Sequence, residues 1–201
     1  IGLASLVWPN AEVILATAAS AHHIPYILST VANVSLEDIR ELAGENSWFQ
    51  LYTPRDPEVR NDLLRRCDQA GYQILVVTVD VPYKIRRDHD IRNGLSVPPQ
   101  FDLTTLWQMF THPHWALRML RAGVPKFVNL APYYGAGSSG NAAREIGKSA
   151  EFIEKRMGLH ISRNIFEETR AHWPGKLLVK GVLDPEEARA YLSLGADGLI
   201  V

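Results

Sequence analysis

Short, continuous apolar runs alternate with amphipathic stretches along most of the chain. Ile24–Leu28, Trp48–Tyr52, Ile74–Val79, Leu177–Val182 and Gly198–Val201 each read as a strand. Most lack the apolar–polar alternation of a half-solvated strand, so they fit strands covered on both faces of a parallel sheet. The segments between them carry helix punctuation. Ser35 can cap a helix that runs through Ala43, with Asp38 three residues on and Gly44 as its stop. Asp56-Pro57 supplies an N-cap and a first-turn proline, and Gly71 closes that helix. Asp184-Pro185 and Gly195 repeat the arrangement. Arg163–Trp173 reads as another helix, and His22-His23 ends one. The recurring order of Asp-Pro, helix, Gly and apolar strand is what repeated βα units produce. From about Arg86 to Ser149 the rhythm breaks, with several prolines and glycines and one short strand candidate, Phe127–Leu130. So long a connection in a compact domain is a functional segment or an excursion from the fold.

In a parallel βα fold the chemistry sits at the carboxyl ends of the strands. Those ends carry Ser29, Gln50, Tyr52, Thr78, Asp80 and Lys180. Gln50 and Tyr52, like Thr78 and Asp80, are two residues apart and so point to the same side of their strand. Lys180 is a cation within Leu-Leu-Val-Lys-Gly-Val, where an unpaired charge is costly. Ser, Thr and Gln can bond a planar heterocycle, and a buried Lys can stabilise negative charge on a bound cofactor. Asp80 can orient a base, and Tyr52 can bond a hydroxyl or a developing carbonyl. Arg87 can clamp a carboxylate with two parallel bonds. On spacing alone, Arg86, Arg87, Asp88 and Asp90 also read as a solvated charge cluster.

Other motifs fail on context. Gly135-Ala-Gly-Ser-Ser-Gly140 matches a dinucleotide fingerprint in its letters, but Pro132 and two tyrosines separate it from Phe127–Leu130, so it reads as a loop. Gly147-Lys-Ser149 lacks the first glycine of a phosphate loop, since Ala142 stands there. His112-Pro-His114 has no Cys or acidic neighbour in sequence, and the chain offers no metal-ligand cluster. Cys67 falls on the apolar face of its helix with Leu63, Leu64 and Ala70. A single cysteine rules out an internal disulfide and fits a reducing compartment.

Composition narrows the class further. The chain has 201 residues, 46% hydrophobic, with a net charge of −1. That is enough for one large domain or two small ones with a real core, and argues against a nucleic-acid binder. No apolar run is long enough to span a bilayer, and no secretory signal is visible. The excursion is distinctive: between Asp102 and Glu145 there is no acidic residue, while Arg118, Arg121, Lys126 and Arg144 are basic. The same stretch holds Trp107, Phe110, Trp115, Phe127, Tyr133 and Tyr134, and His114–Arg121 reads as a short helix. This mixture suits membrane headgroups, an oligomer interface or a lid.

Trp48-Phe-Gln-Leu-Tyr52, Thr78-Val-Asp80, Arg86-Arg-Asp88 and Leu178-Val-Lys-Gly-Val-Leu-Asp-Pro185 together resemble the FMN-dependent L-2-hydroxy-acid dehydrogenases and oxidases over Ile1–Val201. The stretch Leu106–Trp115 looks most like the quinone-linked, membrane-associated bacterial L-lactate dehydrogenases. The resemblance implies a partial TIM (β/α)8 barrel over residues 1–201, from the tip of strand 1 to the tip of strand 6. A long insertion, residues 86–149, follows strand 4. It implies FMN held by Ser29, Gln50, Thr78 and Lys180, with Lys180 beside flavin N1. Tyr52 is implied to bond the substrate, Asp80 to partner a catalytic histidine, and Arg87 to bind the substrate carboxylate. The implied reaction is oxidation of an L-2-hydroxy acid, foremost L-lactate to pyruvate, with electrons passing to a quinone or cytochrome. A homo-oligomer, and a cytoplasmic or peripheral inner-membrane location with contact through residues 103–144, complete the expectation.

Three departures qualify it. Val31 stands where glycolate oxidases carry tryptophan, which points to a substrate bulkier than glycolate, lactate before mandelate. The family's N-terminal substrate tyrosine falls before Ile1, and its Ser-Asn-His-Gly-Gly-Arg motif falls after Val201. The sequence is therefore expected to be a piece of a longer protein, inactive without that histidine. An oxidase that uses O2 and an inactive truncated product are the competing readings.

Overall fold

The computed structural model describes residues 2–80, 103–123, 126–134, 152 and 161–201. Its centre is a five-stranded sheet, all parallel, formed by β1 (Tyr26–Ser29), β2 (Ser47–Leu51), β3 (Ile74–Thr78), β4 (Lys176–Lys180) and β5 (Gly198–Ile200). Spatial order equals chain order. Doubly wound sheets reverse direction at a switch point; a sheet that always adds its next strand on the same side is winding as part of a (β/α)8 barrel. The expected strands agree with the observed ones to within one or two residues at each end.

The helices that cover the sheet start where the punctuation places them. Helices α1 (Ala4–Val7) and α2 (Ala11–Ala21) precede β1, and His22 caps the end of α2. The Ser35 hydroxyl accepts the Asp38 N–H at 3.0 Å to open α3 (Leu36–Ala43). Asp56 caps α4 (Pro57–Ala70) through the Glu58 N–H, and Gly71 ends it in the left-handed region at φ +88°. Helices α5 (Leu103–Thr111) and α6 (Pro113–Ala122) lie within the excursion. Ser162 opens α7 (Arg163–His172), and Asp184 opens α8 (Pro185–Ser193).

Alternation along each strand splits the side chains into two layers. Leu28, Phe49, Leu51, Leu75, Val77, Leu177 and Val179 are buried in a core that also takes in Leu36 and Ile39 of α3, Leu63, Leu64 and Cys67 of α4, and Phe166 of α7. Each such side chain contributes about 1.5–3 kcal/mol by leaving water. Cys67 has the core position read from its helix face, and burial pushes its thiol pKa up, which makes it inert. The opposite layer carries Ser29, Gln50, Thr78 and Lys180.

The chain's return from the excursion is pinned by one asparagine. Phe127–Leu130 was expected as a strand, but residues 128–130 form a turn that leads into a 3-10 helix at Ala131–Tyr133. Fully buried Asn129 explains the change. Its Oδ1 accepts the Leu36 N–H at 2.8 Å and its Nδ2 donates to the Val34 carbonyl. The loop before α3 thus bonds the side chain of this segment instead of a strand ladder. Arg66 adds a bond to the Asn129 carbonyl at 3.1 Å and a two-pronged bridge to Glu37.

Candidate active site

The polar row at the strand ends forms by register. Ser29 of β1 lies level with Gln50 of β2, and Thr78 of β3 level with Lys180 of β4. Gln50 itself pairs with Val76, so Thr78 sits two residues further along the same face. This stagger is what strand tilt in a barrel produces. Side-chain bonds then close the row. The Ser29 hydroxyl donates to Gln50 Oε1 at 3.1 Å, and Gln50 Nε2 donates to Thr78 Oγ1 at 2.8 Å. All three residues are buried.

Beyond Thr78 the row ends in opposite charges. Lys180 Nζ reaches Asp80 Oδ2 at 2.7 Å, with side chains 40% and 36% exposed. This pair, absent from the sequence reading, resolves how a lysine sits in an apolar run: its head leaves the strand for a carboxylate across the gap between β3 and β4. The backbone enforces the approach. The Val79 N–H donates to the Lys180 carbonyl at 2.9 Å, and Gly181 adopts φ +95°. A Cβ on Gly181 would stand 2.3 Å from Asp80 Cβ, so only glycine fits there.

Tyr52 is half-buried just past β2. Thr30, which the sequence reading passed over, holds it: the Thr30 hydroxyl donates to the Gln50 carbonyl at 2.7 Å and accepts the Tyr52 N–H at 3.0 Å. Next to Tyr52, Thr53 is 2% exposed, and its hydroxyl has no partner among the described residues. Gly2 closes the other end of the row. A Cβ there would lie 2.4 Å from Val31 Cγ2 and 3.5 Å from Ser29 Oγ, and the Leu3 N–H donates to the Val31 carbonyl at 3.2 Å. The only sequence signal for Thr30 and Gly181 was adjacency to Ser29 and Lys180.

Five strand-end residues therefore converge, Ser29, Gln50, Thr78, Lys180 and Asp80, with Tyr52 beside them. Arg87 lies outside the described residues, as do Arg86, Asp88 and Asp90, the Gly135–Gly140 and Gly147–Ser149 motifs, Arg144 and His160. His112 caps α6, and His114 lies in its first turn. Chemically the row combines alcohols, an amide and a cation on one face, the donor and acceptor set a flat heterocycle with an anionic edge requires. The residues present fit an isoalloxazine ring.

The excursion helices contrast with this interior. Trp107 and Phe110 of α5 stack at 6.0 Å and are 66% and 76% exposed. Leu103, Leu106, Leu117 and Leu120 are exposed as well. Helix α6 rests on the N-terminal elbow: Trp115 Nε1 donates to the Val7 carbonyl at 2.9 Å, and Arg118 stacks over Trp8 at 5.1 Å. Among the described residues no helix is long and apolar enough to cross a membrane.

Comparison with known proteins is consistent along the whole chain. Residues 1–201 match the family described as FMN-dependent dehydrogenase. An L-lactate dehydrogenase of Pseudomonas entomophila (strain L48) is 35% identical over 202 residues, which cover 100% of this chain and 51% of that protein. An (S)-mandelate dehydrogenase of Pseudomonas putida is 32% identical over 200 residues, covering 100% of this chain and 49% of that one. The crystal structure of the monotopic membrane protein (S)-mandelate dehydrogenase superposes with a TM-score of 0.89 at 30% identity, over 100% of this chain and 52% of that one. The chain thus spans about half the length of the relatives it matches.

Proposed function

The chain belongs to the FMN-dependent dehydrogenase family, and from that premise we propose that it carries the flavin half of a site oxidising an L-2-hydroxy acid, L-lactate foremost, to the 2-oxo acid. The observation that carries this reading is the bonded row Ser29–Gln50–Thr78 ending at Lys180. Bound FMN supplies a two-electron acceptor. Ser29, Gln50 and Thr78 bond the ring's heteroatoms, and their mutual bonds fix each side chain before the ligand arrives. Lys180 holds positive charge at the edge where reduction leaves negative charge. Tyr52 donates its hydroxyl to the substrate, and Arg87 clamps the substrate carboxylate. Asp80, with Oδ2 on Lys180, offers Oδ1 to orient and stabilise a protonated histidine base.

Val31, small and half-buried beside Gly2 and Ser29, would leave more space at the site than a tryptophan and supports lactate over glycolate. Electrons pass on to a quinone or cytochrome. The exposed rings of α5 and the basic α6 support peripheral attachment to the inner membrane through residues 103–144. The protein at the length of its relatives works as a homo-oligomer. The test is to purify it and mix it without oxygen with L-lactate, glycolate or (S)-mandelate. A yellow protein with one FMN per chain, bleached fastest by L-lactate, is the expected result. A colourless folded protein removes the flavin reading, and faster bleaching by (S)-mandelate transfers the substrate assignment to it.

A further inference from the structure

Thr30 stands where β1 ends and the site begins. Beyond Ser29 the chain leaves the sheet in a turn, closed by the Ala32 N–H on the Ser29 carbonyl at 3.0 Å. The bonding between β1 and β2 nevertheless runs one step further. Ser29 pairs with Gln50, so a continued parallel ladder would set Thr30 level with Leu51. Its N–H would then reach the Gln50 carbonyl, and its own carbonyl would accept the Tyr52 N–H. The first of these bonds is present, at 3.0 Å. In the second the side chain takes the place of the carbonyl: Thr30 Oγ1 accepts the Tyr52 N–H at 3.0 Å and donates its own proton to the Gln50 carbonyl at 2.7 Å. A hydroxyl donates and accepts at one atom, and here both capacities are used. Thr30 is fully buried, so water does not replace either bond cheaply.

Two tasks part at this hydroxyl. Gln50 belongs to the row and has other supports: its amide is bonded by Ser29 and Thr78, and its carbonyl keeps the Thr30 N–H when the hydroxyl is removed. Tyr52 lies past the last residue of β2, and Thr30 Oγ1 is the acceptor of its N–H. Resting on the substrate role proposed for Tyr52 above, we propose that Thr30 is a positioning residue that sets Tyr52 against the hydroxy acid and leaves the flavin contacts to Gln50. Its hydroxyl is spent on two backbone groups, so it acts on the reaction only through the backbone from which the Tyr52 phenol extends. A small turn of that backbone grows along a side chain as long as tyrosine and misplaces the hydroxyl at its tip.

The test uses the FMN-loaded full-length protein, with flavin reduction by L-lactate followed without oxygen. Thr30→Val keeps the branched shape and removes the hydroxyl. Its limiting rate of reduction is expected to fall about tenfold, roughly the worth of one hydrogen bond, with the Kd for FMN within about twofold of wild type. Thr30→Ser returns the hydroxyl and is expected to restore the rate. In deuterium exchange the peptide spanning residues 48–55 is expected to take up one more deuteron early in Thr30→Val and none extra in Thr30→Ser; unchanged uptake in Thr30→Val overturns the proposal. In a Tyr52→Phe background, Thr30→Val is expected to slow reduction by less than about twofold further, because the group it positions is gone. An unaltered rate in Thr30→Val beside a slow Tyr52→Phe overturns the proposal alone. So does an FMN affinity that falls in step with the rate, which makes Thr30 a support of the whole row, and so do effects of the two changes that simply multiply. A Tyr52→Phe protein reduced as fast as wild type refutes the substrate role of Tyr52 and the proposal with it. A wild type that L-lactate, glycolate and (S)-mandelate all fail to reduce refutes the proposed reaction, and the exchange result then decides the hold of Thr30 on Tyr52 without a substrate.

Discussion

The strand-end row and the α5–α6 helix pair use aromatic and polar side chains in opposite ways. In the row, Ser29, Gln50 and Thr78 are buried and bonded to one another, and a single amide supplies both links. In the helix pair, Trp107 and Phe110 touch each other and otherwise face outward. The first arrangement satisfies its hydrogen bonds from within the row. The second leaves apolar area that nothing among the described residues covers, the signature of a surface made for something else.

Two experiments on the full-length protein separate the two. The largest effect is expected from Lys180→Met, which slows flavin reduction by about 100-fold to 1,000-fold if Lys180 is the cation that faces the ring, as proposed. Membrane partitioning should not change, and an unaltered reduction rate would remove Lys180 from the site. The mirror experiment, Trp107→Asp with Phe110→Asp, is expected to weaken binding to anionic vesicles about 100-fold, since each ring contributes about 1.5–3 kcal/mol on burial. Flavin reduction should persist. Vesicle binding that survives the double change contradicts attachment through this face.

The smallest effect lies in neither region. Asp197 accepts the Leu177 N–H at 2.9 Å and bridges Lys176 and Arg170, first the backbone bond and then the lysine holding its carboxyl below the ordinary range. A depressed carboxyl stabilises the fold above its unfolded value and loses that contribution as pH falls through the folded one. Asp197→Ala should lower Tm by a few degrees at pH 7, a gap that closes only below about pH 4. A gap independent of pH in thermal melts at pH 7 and pH 3 would contradict the carboxylate's role.

Strands β2 and β3 were legible because they are mostly buried on both faces, and β3, β4 and β5 because a Gly stands at or near their ends. The row was legible because side chains two apart share a face, a rule that needs no tertiary knowledge. What escaped reading depended on long-range partners. The Lys180–Asp80 pair joins residues 100 apart. Phe127–Leu130 has a strand's composition, but its bonding is decided by Asn129 meeting the start of α3. Helix α1 opens on Leu3 in a left-handed conformation without a side-chain cap bond, so no residue there marks its start.

The direct pairing of β3 with β4 carries a consequence for how the molecule assembles. Every residue of the excursion must be gathered into one loop before Thr78 meets Lys180. Closing such a loop is slow, so the cation end of the site forms after the Ser29–Gln50–Thr78 end. The entropy of closure, however, grows only with the logarithm of loop length, about 0.6 kcal/mol for each doubling. Outside the Phe127–Leu130 segment that is held in the core, the excursion is thus free to lengthen, shorten or change its outward face across evolution at almost no cost to the sheet, which makes it the natural place for one barrel to acquire new surroundings.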